Sequence, residues 1–94
     1  MEIIKMEQGH VAQVAALEAI CFRDPWSEKS VASEFNNPLS HWLVAVEDDA
    51  VLGYIGSQTV LDESDMMNVA VSPAHRRKGI AEALVWALAD ALRE

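Results

Sequence analysis

A chain of 94 residues is long enough for one small domain and too short for two. It is 51% apolar and 23% charged, which excludes a disordered chain. Its formal charge of −8, from fifteen acids against seven bases, argues against nucleic acid or an anionic membrane as partner, because the long-range field repels both.

Residues 2–7 alternate loosely around the β-branched pair Ile3 and Ile4 and predict a first strand, ended by Gly9. From 10 to 23, apolar residues fall at Val11, Val14, Ala15, Leu17 and Cys21, the spacing of a helix with one buried face. Cys21 on that face reads as a packed thiol rather than a nucleophile, since no cationic neighbour is evident that would lower its pKa. As the one cysteine it permits no internal disulfide, which suits a reducing compartment. No apolar run reaches transmembrane length and MEIIKMEQGH lacks the form of a signal peptide, so a soluble, cytoplasmic chain is expected.

Pro25 breaks the helix and biases Asp24 away from helical geometry. Ser27 is the natural N-cap of a second helix over 28–36. Glu28 lies in its first turn, Val31 and Phe35 form its inner stripe, and Asn36, Asn37 and Pro38 end it. Trp26, in the loop between the helices, is either an aromatic that contacts substrate or a cap packed over the core, and its size favours packing.

A hairpin follows, with a strand over 41–46, a turn over 47–50 and a returning strand over 51–61. The turn lacks an Asn-Gly or Asp-Gly pair, which leaves its type open. Gly53 and Gly56 inside the returning strand predict a bulge, or close approach of another backbone or a ligand. Asp62, Glu63, Ser64 and Asp65 read as a second acidic turn before a third long strand over 66–71. Three successive strands with short turns predict an antiparallel meander. The last helix places Ala81, Leu84, Val85, Leu88, Ala91 and Leu92 on one face, with Trp86 off that stripe and in want of a cover. No repeat or linker interrupts residues 1–94, so a single domain is expected.

The four glycines, at positions 9, 53, 56 and 79, exclude both the GxGxxG dinucleotide fingerprint and the G-x-x-x-x-G-K phosphate loop. His10, His41, His75 and the single Cys have no metal-ligand spacing, and no Gly-x-Ser-x-Gly elbow presents a serine. What remains is Arg76-Arg77-Lys78-Gly79-Ile80-Ala81, between a strand and a helix. The alternative is a solvated basic turn. In that position, however, the N–H groups of the first helical turn and the helix dipole point at an anion. Gly79 lets a ligand approach the backbone and Ala81 is small for the same reason. Hydrogen bonds to a charged acceptor contribute about 1.5–3 kcal/mol each, so several suffice for micromolar binding of a pyrophosphate.

Arg76-x-x-Gly79-x-Ala81 is similar to the Q/R-x-x-G-x-G/A signature of the GCN5-related N-acetyltransferases, the GNAT superfamily. Asn68-Val69-Ala70-Val71-Ser72-Pro73 ahead of it and Ala83-Leu84 behind it extend the match. Pro25-Trp26-Ser27-Glu28-Lys29 and Val60-Leu61-Asp62-Glu63 resemble the bacterial ribosomal-protein-alanine N-acetyltransferases in particular. The resemblance covers the whole chain but only about the first two-thirds of a family domain.

The resemblance implies an α+β fold, the N-terminal part of the acyl-CoA N-acyltransferase fold. Its order is β-α-α-β-β-β-α around an antiparallel mixed sheet. It implies acetyl-CoA as co-substrate, with the pantetheine arm along Val69, Ala70 and Val71. The pyrophosphate would lie on the N–H groups of Arg77, Lys78, Gly79, Ile80, Ala81 and Glu82, beside Arg76 of the motif. A backbone N–H near Val71 would polarise the acyl carbonyl. The acceptor, a protein N-terminal α-amine, would approach past Trp26 and Ser27 and attack directly in a ternary complex, leaving Cys21 no catalytic role.

Two departures accompany the match. Glu82 stands where relatives carry a basic or neutral residue, which should weaken pyrophosphate binding. Family members also continue with a strand, a helix and two strands that carry a glutamate base and a tyrosine acid, and neither has a counterpart before Glu94. No catalytic residue is therefore identified within the chain. The alternative expectation is an incomplete acetyltransferase half, a coenzyme A-binding module that pairs the open edge of its third long strand with another chain.

Overall fold

The computed structural model describes residues 1–34, 37–60 and 63–92, without the side chains of 59, 60 and 63–67. Among these the chain runs β1 (Glu2–Lys5), α1 (Val11–Cys21), α2 (Glu28–Ser33), β2 (Ser40–Glu47), β3 (Ala50–Val60), β4 (Glu63–Val71) and α3 (Ile80–Leu92). Short 3-10 turns at Gln8–His10 and Pro73–His75 lead into α1 and toward α3. The strands lie in the order β1-β2-β3-β4, and every described pairing is antiparallel.

The meander has two irregularities, each beside a glycine. The register shifts between Ala45 and Val46 opposite β3, where Leu52 is the extra residue, and again between Gly56 and Ser57 opposite β4. Both glycines also sit where another group comes close. A Cβ on Gly53 would lie 2.8 Å from the Ala70 carbonyl oxygen, and one on Gly56 would lie 2.7 Å from the Trp42 ring. The bulge at Leu52 lets Val51 and Tyr54 face one side of the sheet while Leu52 and Ile55 face the other.

Each face of the sheet is covered by helices. On one side Val11, Val14 and Leu17 of α1 and Val31 of α2 pack with Trp42, Val44, Tyr54 and Ala70. On the other Ile80, Leu84 and Leu88 of α3 pack with Ala45, Leu52, Ile55 and Val71. Apolar burial on both sides of the sheet is the main stabilising term for a chain of this size.

Several boundaries and faces differ from those expected. β1 ends at Lys5, and the first helix closes at Cys21, two residues before Arg23. The Ser27 hydroxyl caps α2 as expected, accepting from the Ser30 N–H at 3.1 Å, but the helix ends at Ser33, with Glu34 as its C-cap. Phe35 and Asn36 lie outside the described residues. The acidic turn before the third long strand is shorter than expected: Glu63 already pairs with Val60, so Glu63, Ser64 and Asp65 belong to β4, and Leu61 and Asp62 lie outside the described residues. On α3 the buried stripe is Ile80, Leu84 and Leu88, a strict four-residue row, while Ala81, Val85 and Ala91 are exposed. The sheet covers only a narrow strip of this helix, and the sequence offers more apolar residues than that strip holds. Trp86 is 60% exposed.

Candidate functional site

β4 delivers the chain to one end of the sheet, and the loop after it is tied down locally. The Ser72 N–H donates to the Leu52 carbonyl at 2.7 Å and the His75 N–H to the Ser72 carbonyl at 2.8 Å. Two residues beyond then adopt left-handed backbone, Arg77 with φ 67° and Gly79 with φ 76°. Glycine takes this conformation without penalty, whereas an arginine there is held at a cost of about 1–2 kcal/mol. The Ala83 N–H donates to the Gly79 carbonyl at 3.0 Å, which makes Gly79 the residue before the first helical turn. The N–H groups of Ile80, Ala81 and Glu82 therefore precede the helix's own ladder and face the loop. A Cβ on Gly79 would meet nothing within 4 Å, so the backbone here opens outward.

A cleft of about 490 Å³ lies between this loop and β4. Val69, Ala70 and Val71 line it from the strand, and Arg76, Arg77, Gly79, Ile80, Ala81 and Glu82 line it from the loop and first helical turn. Lys78, from the same basic run, is exposed and does not line it. The lining joins outward N–H groups at a helix start, two arginines and an apolar strand, a combination that suits an anion.

Three further lining residues were not anticipated: Cys21 and Phe22 from the end of α1, and His75. Arg76 folds back over the cleft, its Nε donating to the Val71 carbonyl at 3.3 Å and its Nη2 lying 3.5 Å from the Cys21 sulfur. The expectation that Cys21 has no cationic neighbour is thus corrected. The two residues are 55 positions apart, and only the packing of α1 over β4 brings them together.

Trp26 and Ser27 do not line this cleft. They border a shallower polar depression with Ser30, Ser33, Glu34 and Asn37. Trp26 is half-buried against the core, its ring 5.6 Å from that of Trp42 and tilted by 58°, so the packing role expected from its size is present. Trp42 in turn stacks on Tyr54 at 5.9 Å.

Between the two regions lies an acidic side chain that no motif in the sequence singles out. Glu18 is fully buried. It accepts the Trp26 backbone N–H at 2.8 Å, the Asn68 side-chain amide at 2.9 Å and the Tyr54 hydroxyl. Burial, reinforced by the Glu18 carboxylate, pushes the Tyr54 phenol well above its ordinary range. The signal was available: Glu18 follows Val11 and Val14 at i+7 and i+4, on the buried stripe of α1.

A sheet with helices on both faces, and a cleft where a strand ends and a helix begins, is the geometry in which outward N–H groups and basic side chains can face an anion. The model of the "Acetyltransferase (GNAT) family" matches residues 11–94, and the chain belongs to that family. It is 31% identical over 90 residues to the "Putative [ribosomal protein bS18]-alanine N-acetyltransferase" of Bacillus subtilis, covering 95% of this chain and 60% of that protein. It is 33% identical over 70 residues to the [ribosomal protein bS18]-alanine N-acetyltransferase of Escherichia coli, covering 74% of this chain and 47% of that one. The crystal structure of the ribosomal-protein-S18-alanine N-acetyltransferase from Escherichia coli superposes with a TM-score of 0.85 at 28% identity, over 97% of this chain and 58% of that chain. An aminoglycoside 6'-N-acetyltransferase complexed with coenzyme A shares the fold, with a TM-score of 0.86 at 20% identity over 99% of this chain and 56% of that chain. The chain thus spans about half to three-fifths of the length of these proteins.

Proposed function

We propose that the chain binds acetyl-CoA in the β4–α3 cleft and serves acetyl transfer to a protein N-terminal α-amine. The observation that carries this reading is the convergence on one cleft of Val69, Ala70 and Val71 of β4, the first turn of α3, and Arg76 and Arg77. A thioester on an extended arm ending in a pyrophosphate matches that sequence of surfaces. The strand backbone takes the amide-bearing arm, and the helix N-terminus takes the phosphates. Arg76 and Arg77 add charge-assisted contacts to them.

The N-terminal-amine acceptor is supported by the likeness to the ribosomal-protein-alanine enzymes. A cytoplasmic setting suits that acceptor. The amine attacks the acyl carbon directly, so a new C–N bond forms as the C–S bond to coenzyme A breaks. The amine proton leaves to a base, and the thiolate departs. Cys21 takes no covalent part.

Calorimetric titration with acetyl-CoA and with coenzyme A tests the cofactor half of this reading: micromolar binding is expected, and no binding at millimolar ligand contradicts it. An acetylation assay on an alanine-ended peptide tests the rest.

A second reading has its own observation. β4 pairs with β3 on one side and is the outer strand of the described sheet, and Trp86 stands exposed on α3. In this reading the chain holds coenzyme A without turnover and pairs its edge with a second copy of itself. Light scattering at rising concentration distinguishes it, since a strict monomer contradicts pairing.

A further inference from the structure

Glu18 is a buried carboxylate that joins three separate parts of the molecule, and it lines neither the cleft nor the polar depression. Its Oε1 takes the backbone N–H of Trp26, in the loop between α1 and α2. Its Oε2 takes the Tyr54 hydroxyl, from the middle of β3, and the Asn68 amide, which immediately precedes the Val69–Ala70–Val71 floor of the cleft. None of these donors is a cation, so the carboxylate is held by oriented dipoles that leave it one geometry. Asn68 also pairs with Gly56 at the register shift of β4 against β3, where the ladder alone specifies position least. The α1–α2 loop has no strand or helix of its own to fix it at Trp26, and the Glu18 bond is what ties its backbone there.

Resting on the reading of the cleft as the acetyl-CoA site, we propose that Glu18 is a positioning residue. It holds the Trp26–Ser27 loop at a fixed distance from the β4 floor and so sets the acceptor's seat, without touching either substrate. The loop borders the polar depression on one side and the strand floors the cleft on the other, and Glu18 is the side chain bonded to both. Releasing it frees the loop while the phosphate-facing turn after β4, which Glu18 does not contact, stays in place.

The test compares Glu18→Ala and Glu18→Gln with Val14→Ala, a buried change on the same helix with no bond to the loop. Three quantities are read on the intact chain: exchange of the Trp26 amide proton by NMR, the affinity for coenzyme A, and the affinity for an alanine-ended peptide in the presence of coenzyme A. Glu18→Ala is expected to speed Trp26 exchange at least tenfold beyond Val14→Ala. It should weaken peptide binding at least tenfold while coenzyme A affinity changes less than threefold. Glu18→Gln keeps one carbonyl oxygen for the Trp26 N–H and should recover most of both effects, which also keeps the test decisive if Glu18→Ala fails to fold. Equal effects from Val14→Ala, or peptide and coenzyme A affinities falling together, would overturn the proposal. Wild type that binds no coenzyme A contradicts instead the reading on which it rests.

Discussion

The Tyr54 hydroxyl donates to the Glu18 carboxylate inside the molecule, 36 positions apart in the chain, and both side chains are fully buried. Tyr54 is the one tyrosine of the chain, so its ionisation has a private spectroscopic signal. Its native pKa is raised by burial and by Glu18 above the unfolded value of about 10. Below pH ~10 both states keep the phenol proton and the bond contributes in full. Above it the unfolded chain loses the proton and the native one does not, so stability falls by about 1.4 kcal/mol per pH unit. Phenolate absorbance is expected to appear only together with loss of near-UV circular dichroism. A titration near pH 10 in the folded protein would contradict the buried pair.

Gly56 gives a second handle on the same region. An added methyl would press on the Trp42 ring, which is itself packed between Trp26 and Tyr54. Gly56→Ala is expected to cost about 1–3 kcal/mol, the usual range for overpacking a filled core. Thermal denaturation reads it as a fall of roughly 4–8 °C per kcal/mol for a domain this small. An unchanged midpoint would mean that Trp42 is free to move aside.

The β2–β3 turn should be improvable. Asp48 and Asp49 both have left-handed backbone, φ 51° and 67°, between the paired residues Glu47 and Ala50, as a two-residue type I′ turn requires. The turn is clamped by Gln13 of α1, which donates to the Asp49 carbonyl and accepts the Val51 N–H. Both contacts are to backbone, so replacing Asp48-Asp49 with Asn-Gly leaves them intact. A gain of about 0.5–1 kcal/mol is expected from urea unfolding at unchanged slope.

Glu82 lines the cleft beside the helix start, an acid at the end where the proposed reading puts the phosphates. Glu82→Gln is expected to tighten coenzyme A roughly 2–5-fold at low salt, following the ~0.3–1 kcal/mol typical of a charge near a helix terminus. Because Glu82 is exposed, the gain should shrink as ionic strength rises. Equal affinity for both proteins at low salt would place the carboxylate away from the phosphates.

These residues also mark how much could be read in advance. The element order, the capping by Ser27 and the close approaches at Gly53 and Gly56 follow from local chemistry that a sequence displays. The cleft's strand and helix walls were legible for the same reason, since Val69 to Glu82 is one continuous stretch. What escaped depends on parts of the chain far from one another. Arg76 meets Cys21 only because α1 crosses β4. The true stripe of α3 depends on which narrow strip the sheet touches, and an excess of apolar residues hid it. Glu18 was visible as a charge at a core position of α1, but its partners Tyr54 and Asn68 lie on two other elements. The turn over 47–50 is legible, but its type is not, because aspartates tolerate left-handed backbone without demanding it.

Whether the strand floor and the helix start form one coenzyme A site is decided by mapping backbone amide shifts as coenzyme A is added to the 94-residue chain. Saturable shifts at micromolar ligand are expected, concentrated at Val69, Ala70 and Val71 and over residues 77–82, with the hairpin at Asp48 and Asp49 unmoved. No saturation at millimolar ligand, or shifts centred away from that cleft, would contradict it.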